Sequence, residues 1–252
     1  MLATRAATGS HEALRRTCQL LLALGLLLAA TWAHTASLQV APTRVTIQHD
    51  RGADGLMLSN SGADPVHAQV RVFRWWQQDG QDMLEPNDDL VVSPPMLQIP
   101  AGGEQLVRIV HTGSPPPPGG ERTYRVVVDE LPVERTAPQG PGLRFALRYS
   151  IPVFVVAAAD APPAARLVAR LVGNAPDAAI EITNTGAGSA QLADLVLIGA
   201  DGTRRVVAPG LAGYVMPGQS RQWPMPSGAS PQDRIEAKLN GEPQARALVP
   251  DR

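Results

Sequence analysis

Cysteine is nearly absent: Cys18 is the only one in 252 residues. It stands before the apolar run Leu20–Ala30 and not after it, so a lipidated cysteine at a cleavage site is excluded. A chain processed beyond that run carries neither thiol nor disulfide, which removes thiol catalysis, zinc–thiolate sites and redox chemistry. Lysine is as scarce. Lys238 is the only one among 22 basic residues, so an anion site here is built from arginine, whose planar fork suits a carboxylate. Those 22 basic residues meet 23 acidic ones and form no stripe, which argues against a nucleic-acid partner. No stretch reaches 18 apolar residues.

Catalytic signatures are missing too. His49, His67 and His111 occur singly on predicted strands or strand ends, without His-x-His or His-Glu-x-x-His spacing, and read as surface or half-buried strand residues. There is no Gly-x-Ser-x-Gly elbow, phosphate-binding glycine loop or dinucleotide fingerprint. Asp88 and Asp89 follow Glu85-Pro86-Asn87 and read as a solvated turn, and Gly113–Gly120, with its four prolines, reads as a stiff loop. The expectation is a protein that is not an enzyme and needs no cofactor or metal.

What is present begins with Arg15 and Arg16 leading into about eleven apolar residues, followed by small residues. The run is too short to span a bilayer comfortably and reads as a signal peptide over residues 1–36, cleaved after Ala33 or Ala36. An uncleaved N-terminal anchor is the alternative. Beyond it, short runs rich in Val, Ile and Leu alternate with Gly (23), Pro (24), Asn and Asp at intervals of about 8–12 residues. Leu38–Ile47, Gly55–Ser59, Val66–Trp75, Gln105–His111, Thr123–Leu131 and Leu143–Val156 are the predicted strands, and no long window has a 3.6-residue period. The fold class is all-β.

An internal echo divides the chain. Leu58-Ser59-Asn60-Ser61-Gly62, followed by Ala68-Gln69-Val70, recurs as Ile182-Thr183-Asn184-Thr185-Gly186, followed by Ala190-Gln191-Leu192. Each copy reads as a hairpin turned at Asn-Ser/Thr-Gly. The predicted organisation is an N-terminal sandwich over 37–156, a linker over 157–165 that includes Pro162-Pro163, and a C-terminal sandwich over 166–252.

Leu38-Gln39-Val40-Ala41-Pro42-Thr43-Arg44-Val45, Ser93-Pro94-Pro95, Tyr124-Arg125-Val126, Glu130-Leu131-Pro132 and the stretch Leu143–Phe154 together resemble the periplasmic pilus-chaperone (PapD-like) family. Gly213–Gly218 followed by Trp223 extends the resemblance into the second half, and Tyr149-Ser150-Ile151-Pro152 is closest to its archaic, spore-coat-like branch. The resemblance implies two immunoglobulin-like domains at an angle with a cleft between them. It also implies a periplasmic chaperone that donates a strand to pilus or fimbrial subunits and delivers them to an outer-membrane usher, without membrane insertion of its own after signal cleavage.

The family pattern implies that Leu143, Phe145 and Leu147, at period two, are the donor residues that fill a subunit's open groove. A core role for the same three side chains is the alternative. Arg44 is implied as the anchor of the subunit's terminal carboxylate. The family's second cleft cation, a lysine, falls near Pro152, so Arg148 is taken as the nearest basic residue of that strand. The loop Val133–Gly142 is expected to be mobile without a partner. A pilus subunit or adhesin, or a periplasmic hydrolase on a sandwich scaffold, are the other classes considered.

Overall fold

The computed structural model describes residues 38–132, 145–157, 163–173, 177–230 and 232–250. The predicted signal peptide, the loop Val133–Gly142 and the first donor residue, Leu143, lie outside them. All regular elements among the described residues are strands, and no helix there is long and apolar enough to cross a membrane.

The first ten strands form two facing sheets. One has the order β1 (Leu38–Ala41), β3 (Ala53–Asn60), β8 (Glu104–His111), β6 (Leu90–Ser93). The other runs β2 (Val45–Gln48), β10 (Arg148–Val156), β9 (Glu121–Leu131), β4 (Val66–Gln78), β5 (Gln81–Pro86), with β7 (Met96–Ile99) also on β4. Alternation along the strands fills the space between the sheets. Leu56 and Leu58 point in while Met57 is exposed, and Tyr124, Val126 and Val128 point in from β9. Each fully buried Leu, Ile or Val contributes about 1.5–3 kcal/mol.

The second sandwich repeats the plan with β15 (Ser220–Pro224), β12 (Ala179–Asn184), β11 (Leu167–Val172) and β18 (Val249–Pro250) against β14 (Arg204–Val215), β13 (Ala190–Ile198), β16 (Arg234–Leu239) and β17 (Ala245–Ala247). Its separate core includes Ile180, Ile182, Leu192, Leu197 and Trp223.

The repeated Asn-Gly motif is a corner, not a hairpin. β3 and β4 lie in opposite sheets, as do β12 and β13. Both asparagines are buried: Asn60 Oδ1 accepts from Gly62 N at 2.9 Å, and Asn184 Oδ1 from Gly186 N at 3.0 Å. Their side-chain amides donate across to the opposite layer, Asn60 to the Ile99 and Pro100 carbonyls and Asn184 to the Val215 carbonyl. A turn-forming side chain that also satisfies buried carbonyls explains the Asn in both halves.

Two predicted strands depart furthest from the observed bounds. Leu38–Ile47 breaks at Pro42–Arg44, where the chain passes from one sheet to the other and β2 joins β10 in parallel, Val45 opposite Val153. The proline ring cannot donate to a ladder, and a sheet switch needs no donor there. The strand predicted from Leu143 begins at Arg148, and Phe145 and Leu147 precede it. Period-two alternation continues past the last residue that has a ladder partner, so it does not mark the strand's end.

Candidate functional site

The two sandwiches meet at an aromatic cluster. Trp75 from β4, Phe154 from β10, and Tyr214 and Met216 at the end of β14 are all buried together. The Trp75 and Tyr214 rings stand edge to face, 5.1 Å apart at 83°, and Phe154 lies 6.3 Å from Trp75 and 6.1 Å from Tyr214. Gln77, also buried, clasps the far backbone twice: its Nε2 donates to Tyr214 O at 2.9 Å and its Oε1 accepts from Met216 N at 3.0 Å. Glu121 adds a third tie by accepting from Ser189 N at 2.8 Å and from the Ser189 hydroxyl. Burial raises the Glu121 pKa, against the Ser189 hydrogen bonds and the charge of Arg44.

Two arginines lie on this cluster. The Arg44 guanidinium sits 4.4 Å from the Phe154 ring centroid. Arg125, from β9, covers the Trp75 ring at 3.6 Å and stands 5.4 Å from Tyr214. Its Nη1 donates to Ser150 O at 3.3 Å. Among the described residues neither guanidinium forms an ion pair, whereas Arg71, Arg122 and Arg148 each do. Burial lowers the Arg125 pKa from the ordinary arginine value, a range in which the group keeps its charge at any neutral pH.

Arg148 is not at this place. It lies six residues up β10 from Phe154, about 20 Å at 3.3 Å per residue. There it is held by Asp129, which also binds Arg71 at 2.6 Å. The register shows what the sequence could not: Pro152 is directly opposite Arg125. The residue across the ladder from Pro152 is thus a cation on the neighbouring strand. β9 alternation places Arg125 on the outer face, between inward Tyr124 and Val126, but pairing it with Pro152 needs the fold.

The predicted donor residues divide. Phe145 is 74% exposed, while Leu147 is half-buried against the first core. β10 has β9 along its whole length, but β2 covers only Val153–Val156, so among the described residues Arg148–Pro152 has one unpaired edge. That edge ends at a proline, beside Arg125 and just before the point where β2, preceded by Arg44, takes over.

One further pairing corrects the expectation of isolated histidines. His49, just past β2, and His111, ending β8, come from opposite sheets and bring their Nδ1 atoms to 3.2 Å. Among the described residues no three His, Cys, Asp or Glu side chains converge to hold a metal.

The sequence profile of the pili and flagellar-assembly chaperone family, the PapD N-terminal domain, matches residues 37–159. Residues 37–159, just under half of the chain, belong to this chaperone family. That family is one of chaperones, not of enzymes, and its pilus chaperones are periplasmic. No curated protein sequence matches this PapD-like chain. Among solved structures it is similar to the CsuC–CsuE chaperone–tip adhesion subunit complex from the archaic Csu pili of Acinetobacter baumannii, at 22% identity and TM-score 0.69, covering 86% of this chain and 100% of that one. The Salmonella enterica SafA pilin–SafB chaperone complex matches at 20% identity and TM-score 0.64, over 86% of this chain and 98% of that one. The Escherichia coli chaperone DraB matches at 19% and 0.59, over 84% and 97%. At these identities the likeness is one of fold, and it spans both sandwiches.

Proposed function

We propose that this PapD-like chain is a periplasmic chaperone that binds pilus subunits by donating a strand and hands them to an outer-membrane usher, after export by a signal peptide over residues 1–36. The observation that carries the reading is an open strand edge, Arg148–Pro152, that stops beside two arginines with no ion-pair partner among the described residues. A subunit strand added along that edge runs out of partners at Pro152, which lacks an N–H, and at Val153, where β2 already occupies the side. Its terminal carboxylate then meets Arg44 and Arg125, which replace the anchor pair Arg44 and Arg148 expected from sequence. A guanidinium stacked on an aromatic face keeps its donors directed outward for an incoming anion.

Leu143, Phe145 and Leu147 are the donor side chains of this proposal. An incomplete sandwich has unpaired edges and an open core, and a strand with alternate apolar residues closes both. The exposed Phe145 suits that task, since an aromatic ring left in water gains by entering an apolar groove. The match to the Csu complex and the Tyr149-Ser150-Ile151-Pro152 stretch support a place in the archaic branch. Affinity purification from periplasm tests the function: a stoichiometric subunit with an incomplete sandwich is expected. Recovery of the chain alone, whatever subunit is co-expressed, overturns it.

A further inference from the structure

Three neighbouring strands bring Arg71 (β4), Asp129 (β9) and Arg148 (β10) together, with Gln69, Asp129 and Arg148 in one cross-strand row. Asp129 is only 8% exposed although it is ionisable. One of its oxygens accepts from Arg71 Nη2 at 2.6 Å and the other from Arg148 Nε. Arg148 is otherwise a surface side chain, 68% exposed, and Arg71 also lies against the Phe73 ring at 5.5 Å. The next residue, Glu130, ties down Leu147: its N–H donates to Leu147 O at 2.8 Å and its carboxylate accepts from Leu147 N at 3.3 Å. Among the described residues no hydrogen bond holds Phe145 or Ala146 upstream of that point, so the fixed part of the strand starts at Leu147.

We propose that Asp129 is a positioning residue for strand donation: by clamping Arg148 against Arg71 it fixes where β10 begins and holds the edge Arg148–Pro152 ready for a subunit strand. The inference rests on the chaperone reading above. The physical need is clear from the alternative. Two guanidiniums drawn to one place without the carboxylate repel each other, and the first residues of β10 then rest on ladder bonds alone, at the end of a strand where fraying is cheapest. An edge that frays must be reordered at each encounter, which slows capture more than it weakens the core. Burial pushes the Asp129 carboxyl up, but the hydrogen bonds and charges of Arg148 and Arg71 outweigh it and hold the pKa below the usual carboxylate value. The clamp therefore persists in mildly acidic periplasm.

The test uses Asp129→Asn in the full exported chain, with the subunit that co-purifies with the wild-type chain as probe. Association is expected to slow about tenfold, and amide hydrogen exchange in the free protein to accelerate only over Leu147–Ile151. Arg148→Gln should do the same, and the double variant should be no worse than either single one. Asp129→Glu should recover part of the rate. Unchanged capture, additive losses in the double variant, or faster exchange throughout the first sandwich overturns the proposal. Failure of the wild-type chain to hold any subunit sinks the chaperone reading instead, and the exchange pattern still decides whether the clamp exists.

Discussion

Arg44 and Arg125 have aromatic faces beneath them and no carboxylate partner among the described residues, while Arg148 is held by Asp129. A charge-assisted hydrogen bond contributes about 1.5–3 kcal/mol, so Arg44→Ala is expected to weaken subunit capture about ten- to a hundredfold, with Arg125→Gln close behind. Amidating the subunit's C-terminus should cost the wild-type chain much affinity and the Arg44→Ala variant little. Equal losses in both backgrounds would remove the arginine from the anchor. The sequence displayed Arg44 because it stands in a family pattern. It concealed Arg125, since strand parity gives a face but not the residue across the ladder.

The histidine pair carries a separate residue-scale prediction. Among the described residues the buried His111 Nε2 has no partner, which favours the tautomer that donates from Nδ1 to His49 and leaves Nε2 unprotonated. Burial, then the neighbouring His49, lowers the His111 pKa, with Asp89 opposing and Arg122 adding to the shift; Tyr124, whose hydroxyl burial and Asp89 push up to about 12, stays neutral. A histidine whose folded pKa lies below its unfolded value of about 6.5 contributes stability above that pH and loses it as pH falls. Thermal melts between pH 7.5 and 5 are expected to show a drop that His111→Asn flattens. A parallel drop in the variant would assign the effect elsewhere.

At the scale of elements, β10 joins folding to binding. Its half from Val153 on is locked between β2 and β9, and its other half is open on one side. Phe145→Asp is expected to leave the free chain folded, because the ring is in solvent, and to cut recovered subunit sharply, because a carboxylate in an apolar groove is costly. Leu147→Asp should lower both thermal stability and recovery, since Leu147 packs partly on the chain's own core. Loss of cooperative unfolding in Phe145→Asp would instead place that ring in the core. The alternation of Leu143, Phe145 and Leu147 is plain in the sequence, but where pairing begins is decided by Asp129 and Glu130 on the adjacent strand. The Asn60 and Asn184 corners stand out in the sequence as a repeat but not as corners, because Asn-x-Gly fixes a turn without saying which sheet the next strand enters.

For the whole molecule, the two sandwiches follow from strand spacing and the repeat, while the way they meet depends on Trp75, Gln77, Phe154 and Tyr214, which have no local signature. Gln77→Ala strips partners from Tyr214 O and Met216 N, and each buried polar group left unsatisfied costs about 1–3 kcal/mol. Calorimetry is expected to resolve two transitions in this variant where the wild-type chain gives one, with each core otherwise intact. A single, uniformly lowered transition would mean that Gln77 supports one core and not the junction.

The parallel contact of β2 with β10 has a consequence for the order of events during synthesis. Val45 and Val153 are 108 positions apart, so the strand that Arg44 introduces finds no lateral partner until almost the whole first sandwich has been synthesised. Closing so long a loop is slow relative to hairpin formation. The binding floor is then the last part of that sandwich to mature: Phe154, the ring under Arg44, arrives with the closing strand, and Tyr214 later still. On the chaperone reading, a nascent chain therefore lacks its carboxylate anchor until its own first sandwich is complete.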